Sequence, residues 1–346
     1  MNTGPIRIAA LGGGALLGFM AARRAVREAT AWPIAGRVAI VTGGSRGLGL
    51  VIARELLDAG CRVAICGRDQ ATLDAAGALL GHSADLLTVA CDVGERDEVA
   101  AFVERVRTEL GPVELLVNNA ATISVGRVET MDAEHFERAL HDAFLGTLYP
   151  ILEVLPEMRA RGEGRICNIG SIGGRVAFPH LLPYSVAKFA QVGLSEGLRA
   201  ELAGDGITVT TIIPGFMRTG SFIASDFHDP APDEYAWFAA GASAPLLTFS
   251  PEWAARRILR AIRHGEADLT LGWFARLGGT LKSLMPGLSA DMLGLFDRWV
   301  LPNEPGSGAP HEHGTTVHAD APEIVQELTA SLVQHGGAEL NQPPPR

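Results

Sequence analysis

Cysteine is scarce in this chain: Cys61, Cys66, Cys91 and Cys167 are four among 346 residues. None stands in C-x-x-C spacing, which excludes a disulfide framework. Each lies in or beside a β-branched apolar run, as reduced thiols of a cytosol-facing core do. Positive charge is short as well. Lys and Arg number 29 against 39 Asp and Glu, a formal balance of −10, whereas a nucleic-acid binder needs a basic stripe to displace counterions from phosphates. Charged residues make up 20% and hydrophobic ones 47%, so the apolar material is ample for a core and disorder as the main state is excluded. No repeat of roughly 20 to 50 residues is visible. A mean hydropathy of +0.18 is high for a wholly soluble enzyme, and some surface is expected to meet something greasy.

Length allows one large α/β body with terminal additions. The first, residues 1–35, holds an uncharged run from Ile8 to Ala22 followed at once by Arg23, Arg24 and Arg27. As a helix this run spans about 22 Å, short of the roughly 30 Å hydrocarbon layer. Its glycines imitate a dinucleotide loop, but no strand, helix and ribose-binding acid follow within one unit. A secretory signal fits less well, because Arg7 is the one positive charge ahead of the run. The expectation is a short membrane anchor with the body on the cytoplasmic side, where the following arginines are retained.

From Arg37 the texture changes. Strands are expected at Val38–Thr42, Arg62–Cys66, Leu86–Cys91, Glu114–Asn118, Arg165–Ile169, Thr208–Ile213 and Asp268–Leu271, separated by helical patterns such as Glu252–His264. That alternation predicts an α/β fold, a Rossmann-type doubly wound parallel sheet with helices on both faces, over residues 36–272. The aromatic and alanine-rich stretch Tyr235–Pro251 reads as a mobile lid over an apolar pocket. Residues 273–302 form an amphipathic helical extension with stripes Trp273, Phe274, Leu277, Leu281, Leu284 and then Met292, Leu295, Phe296, Trp299. These stripes are expected to pack on the body or across a dimer, with a membrane or substrate-entry face as the alternative. Residues 303–346 read as a disordered tail carrying at most a short helix at Ile324–Val333. His311, His313 and His318 within it lack the cysteine or carboxylate cage of a metal site, so no metal is expected.

The chemistry gathers at strand ends. Thr42-Gly43-Gly44-Ser45-Arg46-Gly47-Leu48-Gly49 leaves the first strand and opens a helix. Glycines there let a pyrophosphate approach the backbone, and the helix amino end offers unpaired N–H groups. The second strand ends at Cys66-Gly67-Arg68, without the acid that would grip the 2′-hydroxyl of NAD. Arg68 and Arg46 suit the 2′-phosphate of NADP instead. Asp92 follows the third strand, Asn118-Asn119-Ala120 the fourth and Ser171 the fifth. Tyr184 and Lys188, four apart, share one helical face, and a nearby cation lowers a phenol's pKa, which makes Tyr184 a plausible acid/base.

Taken together, Gly36 to Leu271 resembles the short-chain dehydrogenase/reductase family, through Thr42–Gly49, Asp92, Asn118–Ala120, Ser171, Tyr184 with Lys188, and Pro214-Gly215 followed by Thr219. The resemblance implies that Tyr184 exchanges a proton with the substrate oxygen, Ser171 hydrogen-bonds that oxygen, and Lys188 holds the nicotinamide ribose. It implies a cofactor set of Gly43, Ser45, Arg46, Gly47, Leu48, Gly49, Arg68, Asp92, Val93, Asn119, Ala120, Tyr184, Lys188, Pro214, Gly215 and Thr219, with Asn118 on the ribose side. Two positions depart from the family. Ala121 stands where glycine is usual, and Ala143 stands where a helix asparagine supports the proton relay to Lys188. His141 or Asp142 is the expected substitute, and restoring Asn at 143 is expected to raise turnover or leave it unchanged. The reading is an NADP(H)-dependent oxidoreductase working on the carbonyl or secondary alcohol of a lipophilic substrate, as a homo-oligomer. Its alternatives are a 3-oxoacyl-thioester reductase and a nucleotide-binding scaffold or redox sensor with weak turnover.

Overall fold

The computed structural model describes residues 31–303 and 310–345. The proposed anchor at 8–22 lies outside them, and no described helix is long and apolar enough to cross a membrane. In chain order the body runs β1 (Val38–Thr42), α1 (Gly47–Asp58), β2 (Arg62–Gly67), α2 (Gln70–Leu79), β3 (Leu86–Ala90), α3 (Arg96–Glu109), β4 (Leu115–Asn118) and the short β5 (Ser124–Val125). Then come α4 (Ala133–Ala139), a π-helical stretch over Leu140–Leu145, α5 (Gly146–Arg161), β6 (Gly164–Ile169), α6 (Leu182–Glu201) and β7 (Ile207–Pro214). It continues with β8 (Asp226–Phe227), α7 (Ala231–Ser243), α8 (Pro251–His264), β9 (Asp268–Leu271), α9 (Trp273–Leu284) and α10 (Pro286–Val300), and closes with β10 (Glu312–His313), α11 (Gly314–Asp320) and α12 (Glu323–Leu340).

Seven strands form one sheet in the order β3-β2-β1-β4-β6-β7-β9, and each neighbouring pair is parallel. The order reverses beside β1, so β1 and β4 diverge at their carboxyl ends and open a crevice there. All five residues of β1 are buried, as a strand covered by helices on both faces requires. One core layer packs β1 and β2 against α1 and α8, the other packs β1 and β4 against α3 and α5. The four cysteines are buried reduced thiols; burial pushes Cys61 up to about 12, and Cys66 and Cys167 are raised as well, so these three are not nucleophiles near neutral pH.

Residues 312–345 correct the expectation of a disordered tail. Its polar, His- and Pro-rich composition conceals Val317, Ala321 and Val325, which complete a third core with Phe222, Phe227, Tyr235 and Phe238. Leu340 reaches the first core and is fully buried. Burying each of the larger side chains is worth about 1.5–3 kcal/mol, enough to dock a helix whose own propensity is modest. The helix expected at Ile324–Val333 extends over Glu323–Leu340. The same core corrects the reading of Tyr235–Pro251 as a mobile lid. Its first half is the helix α7, with Tyr235 and Phe238 buried and the Tyr235 hydroxyl 2.6 Å from His318 Nδ1.

Candidate active site

One cavity of about 620 Å³ lies at the carboxyl ends of the strands. Its floor is the loop after β1. Asn119 Nδ2 donates to the carbonyls of Thr42 and Gly43 at 3.1 Å, and Asn119 N donates to Thr42 Oγ1 at 3.0 Å. The loops after β1 and β4 are thereby locked to each other. Glycine is required at two points. A Cβ on Gly43, which holds φ +59°, would lie 2.9 Å from Ala120 Cα, and one on Gly49 would lie 2.2 Å from the Gly43 carbonyl. The first turn of α1 carries no acid, and Arg46 at its N-cap makes no capping bond. Among the described residues no side chain caps this turn, and Gly47 and Leu48 line the cavity, which fits a pyrophosphate at the helix N-terminus.

Arg46 and Arg68 stand together at one end. Arg68 Nη1 lies 3.4 Å from the buried carboxylate of Asp142, which also accepts from Thr122 Oγ1 at 2.8 Å. Burial lowers the pKa of the half-buried Arg46, Arg68 lowers it further, and Asp69 opposes both. Among the described residues the Arg46 guanidinium makes neither a hydrogen bond nor an ion pair. A partly desolvated guanidinium of this kind is completed by an anion.

At the other end, Ser171 follows β6 in extended backbone, and its Oγ accepts from Gly173 N at 3.0 Å. With a lone pair so engaged, its proton is available to an oxygen in the cavity. Tyr184 opens α6 behind Pro183. Burial raises the phenol's pKa, while its hydrogen bond with Ser171 opposes the rise. The expectation that Lys188 pulls the phenol down is thus corrected: the lysine Nζ is 5.8 Å from the Tyr184 ring centre, and burial dominates. Desolvation brings Lys188 itself down to about 7.

The buried ammonium of Lys188 donates to the Ile169 carbonyl at 2.8 Å and to Gln191 Oε1 at 2.9 Å. Gln191 Nε2 donates to Thr147 Oγ1 at 2.7 Å, and Thr147 Oγ1 donates to the Ala143 carbonyl at 2.8 Å. Gln191 and Thr147 are both buried. This chain ends on the backbone of the residue that replaces the family's asparagine, inside the π-helical stretch. Sequence reading missed Gln191 and Thr147. The signal was present in Gln191, three residues after Lys188 on the same face of α6. His141 and Asp142 are not the substitutes: His141 lies between Asp142 and Glu95, at 3.1 and 3.2 Å, at the Arg68 end. Ala143 is buried and packs with Ala139 and Ala187, so an Asn there would set a polar side chain in an apolar corner.

Of the residues assigned from sequence, Ser45, Gly47, Leu48, Asp92, Val93, Ala120, Pro214, Gly215 and Thr219 line the same cavity as Gly43, Arg46, Arg68, Asn119, Ser171, Tyr184 and Lys188. Gly49 packs beneath the loop. Asn118 is turned away from the expected ribose side, its Nδ2 donating to Asn168 Oδ1 at 2.9 Å across β4 and β6. The tail histidines do not converge: His313 Nδ1 meets Thr315, His318 meets Tyr235, and His311 stacks near His228. The cavity's remaining wall is apolar, built from Phe178, Phe216, Trp237, Phe238, Phe274 and Phe296.

The family described as short chain dehydrogenase matches residues 37–227. The protein assigned as ketoacyl reductase 1 of granaticin polyketide synthase in Streptomyces violaceoruber is 36% identical over 203 residues, 58% of this chain and 75% of that protein. A short-chain dehydrogenase structure from Streptomyces avermitilis superposes with a TM-score of 0.64 at 29% identity, over 76% of this chain and 97% of the other. The L-sorbose reductase of Gluconobacter frateurii, complexed with NADPH and L-sorbose, gives 0.61 at 27%, over 69% and 95%.

Proposed function

The chain belongs to the short-chain dehydrogenase family, and from that premise we propose that this oxidoreductase is NADP(H)-dependent and works on the carbonyl or secondary alcohol of a lipophilic substrate. The observation that carries the cofactor choice is Arg46, which among the described residues makes no ion pair and stands beside Arg68, with Asp69 the nearby acid. The NADPH bound by the sorbose reductase supports it. Bound nicotinamide supplies or accepts the hydride. In reduction the Tyr184 hydroxyl donates its proton to the substrate oxygen while Ser171 Oγ–H fixes that oxygen. A phenol held above its ordinary pKa stays protonated near neutrality, which suits an acid. Lys188 then returns the proton to the phenolate through its ammonium. That charge is held below about pH 7 and lost as pH rises through it, so reduction is expected to fall along a limb near pH 7.

Arg46→Ala and Arg68→Ala test the cofactor reading. Each loses a charge-assisted contact of about 1.5–3 kcal/mol, so NADPH affinity is expected to fall about ten- to a hundredfold with NADH affinity nearly unchanged. Equal weakening of both dissociation constants would show that neither arginine reads the 2′-phosphate.

The apolar wall supports a lipophilic substrate, and so does the α9–α10 hairpin. It turns Phe274 and Phe296 into the cavity while exposing Trp273, Leu277, Leu284, Met292, Leu295 and Trp299. That face is not packed on the body, which leaves a dimer contact or a membrane or substrate-entry surface, and we take the latter reading. On this reading the body is cytoplasmic and meets a membrane through residues 8–22 and the hairpin. Fractionation of the full chain beside one starting at Trp32 tests it. The shorter form, which keeps the hairpin, is expected to shift toward the soluble fraction, and equal partitioning of the two would remove the anchor. Leu152, Val186 and Phe189, exposed on α5 and α6, support a homo-oligomer paired through those helices. The ketoacyl reductase relative favours the second reading, a 3-oxoacyl-thioester reductase, which a panel of ketones and acyl thioesters separates from the first.

A further inference from the structure

The end of the chain is built into the dinucleotide cleft. Helix α12 finishes at Leu340, whose side chain is buried in the core that holds α1. Asn341 then takes φ +54° and ψ 33°, and Gln342 N closes the turn on the Gly336 carbonyl at 2.9 Å. This turn sends two side-chain amides to opposite walls. Asn341 Nδ2 donates to the carbonyls of Ser45 and Thr72, both at 2.8 Å, beside the two arginines. Gln342 Nε2 donates to the Thr219 carbonyl at 3.0 Å, on the far side of the loop. The approach is close: a Cβ on Gly47, which holds φ +57°, would lie 3.2 Å from Gln342 Nε2.

Gln342 is 8% exposed and lines the cavity, yet its Oε1 is buried without a hydrogen-bond partner. Leaving a carbonyl oxygen so costs about 1–3 kcal/mol, and because it is closed off even with the cavity empty, a donating ligand removes that cost once the side chain shifts toward the cavity it lines. Because Nε2 is engaged by an acceptor at Thr219, the amide's orientation is set and Oε1 cannot exchange places with it. Ribose hydroxyls and a carboxamide are the donors a nicotinamide dinucleotide offers, and the second Nε2 hydrogen suits a phosphate oxygen.

We propose that Gln342 is a dinucleotide-binding residue and that residues 340–342 are a clasp joining the Ser45 and Thr219 walls over the cofactor. The proposal rests on the NADP(H) reading and goes beyond it by adding a site residue from outside the family's matched segment. A clasp bridging both walls contacts neither the 2′-phosphate nor a feature peculiar to NADPH, so its loss weakens NADH equally, unlike the loss of Arg46 or Arg68.

The test is titration of NADPH and of NADH into the wild-type chain, Gln342→Ala and Gln342→Glu, with thermal melts as the folding check. Gln342→Ala is expected to weaken both cofactors about tenfold. Gln342→Glu keeps the size, sets a carboxylate against the Thr219 carbonyl, and is expected to bind both more weakly still. In parallel, NADPH is expected to slow trimming of the wild-type C terminus by carboxypeptidase. Wild-type binding with unchanged affinity in both variants overturns the clasp and leaves the dinucleotide reading standing. Tighter binding by Gln342→Ala also overturns it, since the side chain would then be an obstruction. A wild-type chain that binds neither cofactor brings down both readings.

Discussion

Tyr184→Phe is expected to lower turnover by a factor of about 10² or more while NADPH still binds, because the substitution deletes one hydroxyl and leaves the ring's packing intact. The hydroxyl is the group on α6 that meets Ser171, and Ser171 is oriented by Gly173 N. Among the described residues no neighbouring acid replaces it in that corner. The lysine below is occupied by Ile169 and Gln191, and the carboxylate of Asp142 is committed to Arg68 and Thr122 at the opposite end. Turnover measured at saturating NADPH, with the cofactor's dissociation constant measured in the same preparation, separates the two effects. Retained turnover in a folded Tyr184→Phe would sink the assignment, whereas a parallel loss of NADPH binding would mean that the phenol mainly shapes the cofactor site.

Strands and phosphate loop were legible because their constraint is local. A strand covered on both faces must be apolar at every position, as Val38–Thr42 nearly is, and a loop that a Cβ would block must show glycine, as at Gly43 and Gly49. The tail was illegible because its partners are distant: Val317 and Val325 become core residues only against Phe222 and Tyr235. Asn341 and Gln342 acquire meaning only from carbonyls roughly 120 to 300 residues away. The hairpin stripes at 273–300 show the converse. Their helical spacing announced an apolar face correctly, but spacing does not say what covers it, and the side with Trp273 and Trp299 remains exposed.

The relay around Lys188 was half legible, and it yields the second large effect. The missing asparagine at Ala143 was the scaffold reading's one support. The path from Lys188 through Gln191 and Thr147 ends on the Ala143 carbonyl, which passes no proton on, so it positions the ammonium and does not replace the relay. Gln191 acts through Lys188 and is a positioning residue. Gln191→Leu takes away a buried acceptor from an ammonium that desolvation already holds near 7. Loss of such a charge-assisted bond is worth about 1.5–3 kcal/mol, equal to about one to two pH units. The descending limb of the reduction profile is therefore expected to move to lower pH by that amount, and turnover at neutral pH to fall about ten- to a hundredfold. Gln191→Glu offers a stronger acceptor and is expected to move the limb upward. Thr147→Val, one bond further out, is expected to shift it in the same direction as Leu but less. Ala143→Asn, by contrast, buries a polar side chain among Ala139 and Ala187 and is expected to destabilise by about 1–3 kcal/mol without raising turnover. A mere packing role for Gln191 would lower the melting temperature and leave the limb in place. Opposite displacements in the Leu and Glu variants, at similar melting temperatures, are what positioning of the ammonium requires, and a limb fixed in both would remove Gln191 from that role.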